Sequence, residues 1–322
     1  MATPGALALP LLGLGTWAWG DTATWGMDAY DRSYDFDTIR AAYRASVDAG
    51  VTLLDTAETY GDGESERIIG RLLAEDPARA RRVIVATKFM PFPWRVPFAR
   101  RLRNSLDASL ERLQLRAVHL YQVHGPISMR SARTVAAALA GPYHDRLFRA
   151  AGVSNYSAAE VRAIHAALAA EGVPLATNQV EFSLLRAMPE RCGLLAACRE
   201  LDVTLLAYSP IAMGRLSGKY SAANPPPGKR NFSAYPMAEI EPVLVVLREI
   251  GARLGGKTPA QVALNWIICK GAVPIPGAKT AAQAAQNAGA LGWRLSADDV
   301  ATLDAVAKYG QRAIFNRVWQ HG

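Results

Sequence analysis

Cysteine is scarce in this chain: Cys192, Cys198 and Cys269 are the three among 322 residues. An odd count without metal-type spacing points to reduced, buried thiols and to no bound metal. No apolar stretch approaches the roughly 20 residues needed to span a bilayer. The opening Met1-Ala-Thr-Pro-Gly5 lacks the basic segment of a secretion signal. A cytoplasmic protein without a membrane partner is the expectation. Acidic residues are outnumbered, 28 against 36 Lys and Arg, for a formal charge of +8. The basic clusters at 79–82 and 100–103 lie in amphipathic stretches without interleaved aromatics. They read as solvated helix faces with some attraction for a phosphorylated ligand, and no nucleic-acid partner is expected.

What is present is a regular alternation. Short apolar runs at 12–16, 51–54, 83–87, 120–123, 150–153, 176–180, 204–207 and 273–275 read as buried parallel strands. Helical patterns fill the gaps. Ile39, Ala42, Tyr43, Ser46 and Val47 form a stripe of period 3.6 that ends at Gly50. Ser157/Glu160, Thr258/Gln261 and Thr280/Gln283 have capping-box spacing. Eight strand–helix units without a composition break predict an α/β fold, a single (β/α)8 TIM barrel over residues 1–322. Residues 7–12 are expected to add an N-terminal hairpin strand at the barrel bottom. The one long irregular stretch, 216–236, falls after the seventh strand, where a lid over a ligand and a plain insertion are both open.

Two nucleotide-binding patterns fail on context. Gly251-Ala-Arg-Leu-Gly-Gly256-Lys257-Thr258 has the letters of a P-loop, but Val243, Leu244, Leu247, Ile250 and Leu254 before it have helical spacing. It reads as a helix end followed by a new helix. Gly13-Leu-Gly15-Thr-Trp-Ala18 is followed by an aromatic loop, not a crossover helix, so a Rossmann site is not expected.

Chemistry concentrates at strand ends. Asp55, Lys88 and His124 each follow one of the apolar runs, and Tyr60 lies five residues past Asp55. A free tyrosine titrates near 10, too high for efficient proton transfer at neutrality. A neighbouring ammonium, Lys88, should lower it, with Asp55 keeping Lys88 charged and in place. His124 can donate a hydrogen bond to a carbonyl oxygen. Singly, Asp55 also reads as a turn residue, His124 as a satisfied histidine and Tyr60 as packing. Their common placement on one barrel face is what makes a proton-transfer site.

The chain resembles an aldo-keto reductase over nearly its whole length. The resemblance rests on Leu14-Gly-Thr-Trp17, Asp55-Thr-Ala-Glu-Thr-Tyr-Gly61, Ala86-Thr-Lys88, Leu120-Tyr-Gln-Val-His124, Gly152-Val-Ser-Asn-Tyr156, Asn178-Gln-Val180, Ala207-Tyr-Ser-Pro210 and Pro274-Ile-Pro-Gly277, in order. It implies an NADPH-dependent reductase of aldehydes or ketones, with Asp55, Tyr60, Lys88 and His124 as the catalytic tetrad and Tyr60 as proton donor. By the same carry-over Ser154, Asn155 and Gln179 would hold the nicotinamide carboxamide, and Tyr208 would stack on its ring. Ser209, Pro210, Ile211, Gly214 and Leu216 would follow the pyrophosphate. Thr16, Trp17, Lys219 and Ile275 are further expected cofactor contacts.

Gly277, Lys279 and Thr280 would receive the adenosine end, with Gln283, Gln286 and Asn287 adding hydrogen bonds. Lys279 beside a capped helix start suits a 2′-phosphate and hence NADPH, with NADH the other option. Trp19, Trp25, Met90 and Trp94 are expected to wall the pocket for a small carbonyl substrate. Gly125 stands where the family commonly has an aromatic, which widens or reshapes that pocket. The tryptophan-rich opening and Asn224-Pro-Pro-Pro-Gly228 look most like a plant-plastid and bacterial subgroup that includes pyridoxal reductase-like proteins. No transit peptide precedes the barrel motif, so a bacterial member is expected, with pyridoxal one candidate substrate. A cofactor-binding sensor or accessory subunit of the same fold is the competing reading, and turnover separates the two.

Overall fold

The computed structural model describes residues 7–20, 35–227, 233–311 and 319–322. Eight parallel strands form one sheet in sequence order: β1 Gly13–Gly15, β2 Leu53–Asp55, β3 Ile84–Phe89, β4 Val118–Val123, β5 Phe148–Ser154, β6 Leu175–Glu181, β7 Thr204–Tyr208 and β8 Val273–Pro274. A bridge between Gly15 and Gly277, with the Gly15 N–H donating to Pro276 O at 3.0 Å, brings the last strand back to the first. Gly15 is required there, because a Cβ at this position would meet Ile275 O at 2.8 Å. Helices cover the outside, as a sheet of buried parallel strands demands.

Leu53, Ala86, Leu120, Ala150, Leu206, Val273 and Ile275 pack into the barrel interior as one apolar cluster. Side chains alternate along a strand, so residues two further on share the same face. Two residues past that apolar layer stand Asp55, Lys88, Gln122 and Tyr208, which puts the polar groups at the C-terminal mouth. Gly152 makes room in this layer, since a Cβ there would lie 2.4 Å from Thr177 Oγ1 and 2.7 Å from Gln122 Cγ.

The helices start where their capping residues predict. Ser157/Glu160 and Thr258/Gln261 form reciprocal capping boxes, and Ser296/Asp299 forms a third. Each such cap contributes about 1 kcal/mol. At Thr280 the box is altered: its side chain caps Gln283 N, but Gln283 Oε1 accepts from Lys279 N–H at 2.7 Å. The P-loop lettering dissolves into the helix Met237–Arg253, two left-handed glycines and the helix Pro259–Cys269.

Two expectations need correction. Residues 7–12 carry no strand; Leu7 and Leu9 reach the barrel's apolar cluster as side chains, so they pack there without a hairpin. Of the three thiols only Cys198 is buried, while Cys192 is exposed. The 216–236 stretch is irregular as expected, with no helix or strand at 218–227 or 233–236, yet it is anchored: Tyr220 is buried, and Ser233 donates to Glu181 Oε1 at 2.5 Å. In the basic clusters Arg79 pairs with Asp48 and Asp76, and Arg103 with Asp107 and Asp145. No helix among the described residues is long and apolar enough to cross a membrane.

Candidate active site

The structure brings the four strand-end residues together. Lys88, without solvent exposure, donates from Nζ to Asp55 Oδ2 at 2.6 Å, Thr56 O at 2.8 Å and Tyr60 OH at 3.2 Å. The ammonium therefore has three acceptors and no need of water. Gln179 Nε2 at 2.8 Å and Gln122 Nε2 at 3.1 Å donate to Asp55 Oδ1, so both carboxylate oxygens are engaged. The Tyr60 and His124 rings meet edge to face at 5.7 Å. His124 is buried, and its Nδ1 has no hydrogen-bond partner among the described residues. A buried polar atom without a partner points to a ligand that completes it.

The electrostatics differ from the sequence expectation at Tyr60. Burial, and then the Asp55 charge, push its phenol well above the ordinary value. Its proximity to Lys88 does not make it an easily ionised phenol; it holds its proton. Burial pulls the Lys88 ammonium below its ordinary range, opposed by the charges of Asp55 and Glu66. His124 is pushed well below its ordinary value by burial and by Lys88, which makes it a neutral imidazole.

The expected cofactor residues line the same mouth. Ser154 Oγ donates to Gln179 O at 2.8 Å, and Asn155 Nδ2 donates to Ser154 Oγ at 3.2 Å. The Gln179 amide nitrogen is committed to Asp55. Tyr208 OH donates to Asn155 Oδ1 at 3.1 Å. Past β7 the backbone is left-handed at Ser209, Ala212, Met213 and Gly214, with φ of 48°, 50°, 53° and 92°. Each non-glycine residue held this way costs about 1–3 kcal/mol, a strain that clusters at ligand clamps. Across the mouth, Gly277 is exposed and Asn287 Nδ2 donates to its carbonyl at 3.2 Å, pinning the turn ahead of the helix Ala281–Ala288. That helix start and the strained 209–214 turn both have the character of places that suit phosphate groups.

Thr16 is fully buried and donates to Asp55 O at 2.9 Å, so it braces the strand end that carries Asp55. Trp17 faces the Tyr60 ring at 6.5 Å. Leu216 and Ile275 are buried, Leu216 in the main core and Ile275 in the barrel's apolar cluster. Gln286 uses its backbone carbonyl to accept from Gln261 Nε2 at 3.0 Å.

The proposed substrate wall is mostly elsewhere. Trp19 is fully buried and donates from Nε1 to Ala278 O at 3.0 Å, so it props the 277–280 turn and does not face a pocket. Met90 is fully buried too, with its N–H on Glu58 Oε1 at 2.7 Å. Trp94 is 72% exposed and stacks on Phe92, too solvated for a wall. Trp25 lies outside the described residues.

Four residues were missed: Gln122, Glu181, Trp319 and Gln320. Gln122 was legible, being two residues past Leu120 on the inward face. The chain's last four residues had no such signal, yet they fold back onto the mouth. Trp319 meets the His124 ring at 5.5 Å and lies over Gly125, where a Cβ would come 3.0 Å from its Cζ3. The hollow expected at Gly125 is thus refilled by an aromatic from the far end of the chain. Gln320 Nε2 donates to Glu181 Oε2 at 2.6 Å and to Tyr208 OH at 2.8 Å. Among the described residues no cluster of His, Cys, Asp and Glu is arranged to hold a metal.

Comparison with known proteins agrees with this geometry. The family model described as Aldo/keto reductase family matches residues 11–308. The chain is 38% identical over 327 residues to the chloroplastic pyridoxal reductase of Arabidopsis thaliana, covering 98% of this chain and 88% of that one. It is 32% identical over 305 residues to methylglyoxal reductase YeaE of Escherichia coli strain K12, with 93% and 92% covered. A crystal structure of an aldo-keto reductase from Klebsiella pneumoniae in complex with NADPH superposes with a TM-score of 0.72 at 29% identity, over 95% of this chain and 93% of that one.

Proposed function

The chain belongs to the aldo/keto reductase family, and from that premise we propose that it reduces a small aldehyde or ketone with Tyr60 as the proton donor. It is an NADP-dependent oxidoreductase. The observation that carries the finer reading is the Lys88 ammonium lying between the Asp55 carboxylate and the Tyr60 hydroxyl, at 2.6 and 3.2 Å.

The described residues suit the cofactor: a strained turn at 209–214, a capped helix start at Thr280, and a phenol at Tyr208 beside Asn155. When bound, NADPH supplies a hydride from its nicotinamide C4 to the carbonyl carbon. Tyr208, Asn155, Ser154 and Gln179 would hold the nicotinamide end, and Lys279 with Thr280 the adenosine end.

The chain's own residues handle the proton. A phenol whose pKa is pushed up by burial is fully protonated at neutral pH, which is the form a donor needs. As the proton leaves Tyr60 the phenolate forms 3.2 Å from an ammonium that is already in place, so no solvent has to reorganise. Asp55 keeps that ammonium fixed, with Gln122 and Gln179 fixing Asp55. Neutral His124 donates a hydrogen bond to the substrate oxygen and aims it at Tyr60. The Trp17 and Trp319 rings beside Tyr60 and His124 favour an apolar or aromatic carbonyl compound. Pyridoxal and simple aromatic aldehydes belong in the first panel.

Following NADPH absorbance with that carbonyl panel tests the proposal. Oxidation that depends on both carbonyl and protein is expected. Tight NADPH binding without turnover on any carbonyl would instead make the protein a cofactor-binding sensor.

A further inference from the structure

Past Trp319 the C-terminal residues have no role in the chemistry above, yet they are wired into it. Gln320 is 6% exposed, and its amide nitrogen splits two bonds between the Glu181 carboxylate at 2.6 Å and the Tyr208 hydroxyl at 2.8 Å. That hydroxyl accepts from Gln320 and donates its own hydrogen to Asn155 Oδ1 at 3.1 Å. His321 N–H donates to Asn155 O at 3.1 Å, while Asn155 N–H donates to Gln179 O at 2.8 Å. Asn155 has φ of 63°, a left-handed backbone that asparagine adopts more readily than other non-glycine residues. The last residues therefore grip Asn155 on its side chain, through Tyr208, and on its backbone.

The grip has a rigid anchor. Glu181 is 2% exposed at the end of β6, and its second oxygen accepts from Ser233 Oγ at 2.5 Å. Arg186, 3% exposed, donates to Gly322 O at 3.0 Å and places Nε 3.7 Å from Glu181 Oε2. A hydrogen bond to a buried carboxylate is stronger than a neutral one, so it fixes the Gln320 amide in one orientation. The second N–H of that amide then points at one place, the Tyr208 hydroxyl.

We propose that Gln320 is a positioning residue for the cofactor: it holds the Tyr208 phenol, and through it Asn155, in the orientation that the nicotinamide end of NADPH requires. The inference rests on the reading above that Tyr208 and Asn155 face that end. Without Gln320 the Tyr208 ring keeps its place on β7 but loses the bond that ties its hydroxyl to the Glu181 anchor.

The test is a double-mutant cycle with Gln320→Leu and Tyr208→Phe, read as NADPH dissociation constant by fluorescence and as thermal midpoint. Each single variant should weaken NADPH by about threefold to tenfold, the range of one ordinary hydrogen bond. In the Tyr208→Phe background, Gln320→Leu should add no further weakening, because the bond is already gone. The midpoint should fall with Gln320→Leu in both backgrounds, since the Glu181 bond is lost in each. Equal weakening of NADPH by Gln320→Leu in both backgrounds would make its role mere packing of the tail and overturn the proposal. Unchanged affinity in Tyr208→Phe would overturn it as well, without needing the Gln320 variant to fold. Failure of the underlying reading shows separately, as a wild-type protein that binds no NADPH.

Discussion

Replacing Lys88 with methionine probes how the charges beneath the site are held. The substitution keeps an unbranched chain of similar length in a position with no solvent exposure. It removes the ammonium and leaves Asp55 Oδ2 without its partner at 2.6 Å, while Oδ1 keeps Gln122 and Gln179. Breaking a buried pair on one side costs about 3–5 kcal/mol, most of it the stranded charge. Asp55→Asn removes the ammonium's counter-charge, and its one carbonyl oxygen can serve either Lys88 or the Gln122 and Gln179 amides but not both, so it should cost a similar amount. The double variant Asp55→Asn/Lys88→Met strands nothing, so its loss should be several kcal/mol smaller than the sum of the two singles. Urea unfolding monitored by fluorescence gives the three free energies, and NADPH oxidation is measured on the same samples. The double variant should regain stability but not activity, because the phenolate still lacks its ammonium. Losses that add to within about 0.5 kcal/mol would show that the pair is not coupled, and the reasoning would fail.

Other consequences follow from the same contacts. Tyr60→Phe keeps the ring against His124 and should lower turnover by about 10²–10⁴-fold, the usual worth of a positioned acid, with NADPH affinity unchanged; equal turnover would reassign the proton donor. Because the His124 pKa is depressed in the folded protein, unfolded chains bind a proton there that the site refuses. Its contribution to stability is whole above about pH 6.5 and is lost as pH falls below it. His124→Asn should flatten that acid limb in unfolding curves. His119, also pushed down by burial, contributes with the same sign and stays in both proteins; an unaltered slope would mean His124 is not buried neutral. Lys279→Ala should weaken NADPH far more than NADH in parallel titrations, whereas matching losses would remove the 2′-phosphate contact.

The parts of this site that were legible in the sequence are those set by local period. Asp55, Lys88 and Gln122 lie two residues beyond Leu53, Ala86 and Leu120, and alternation along a strand carries them to one barrel mouth. Gly50, Thr258 and Ser157 announce helix ends because capping is a short-range effect. What depended on distant partners was not legible. Trp19 reads as a loop aromatic until Ala278, 259 residues away, accepts its indole N–H. Gln320 meets Glu181 across 139 residues, with no periodic signal in the final residues to announce it. The ionisation of Tyr60 failed for a related reason: a neighbouring ammonium can be read from spacing, but the burial that outweighs it comes from packing.

The central claim is that this chain moves a hydride from NADPH to a carbonyl carbon and a proton from Tyr60 to its oxygen. NADPH deuterated at the transferred C4 position, turned over with an aromatic aldehyde, tests the hydride step most directly by mass spectrometry of the alcohol. One deuterium on the carbinol carbon for each NADPH oxidised is the predicted result, formed about 10²–10⁴-fold more slowly by Tyr60→Phe. Alcohol formed without the label, or label transferred at the full rate by Tyr60→Phe, would contradict the account.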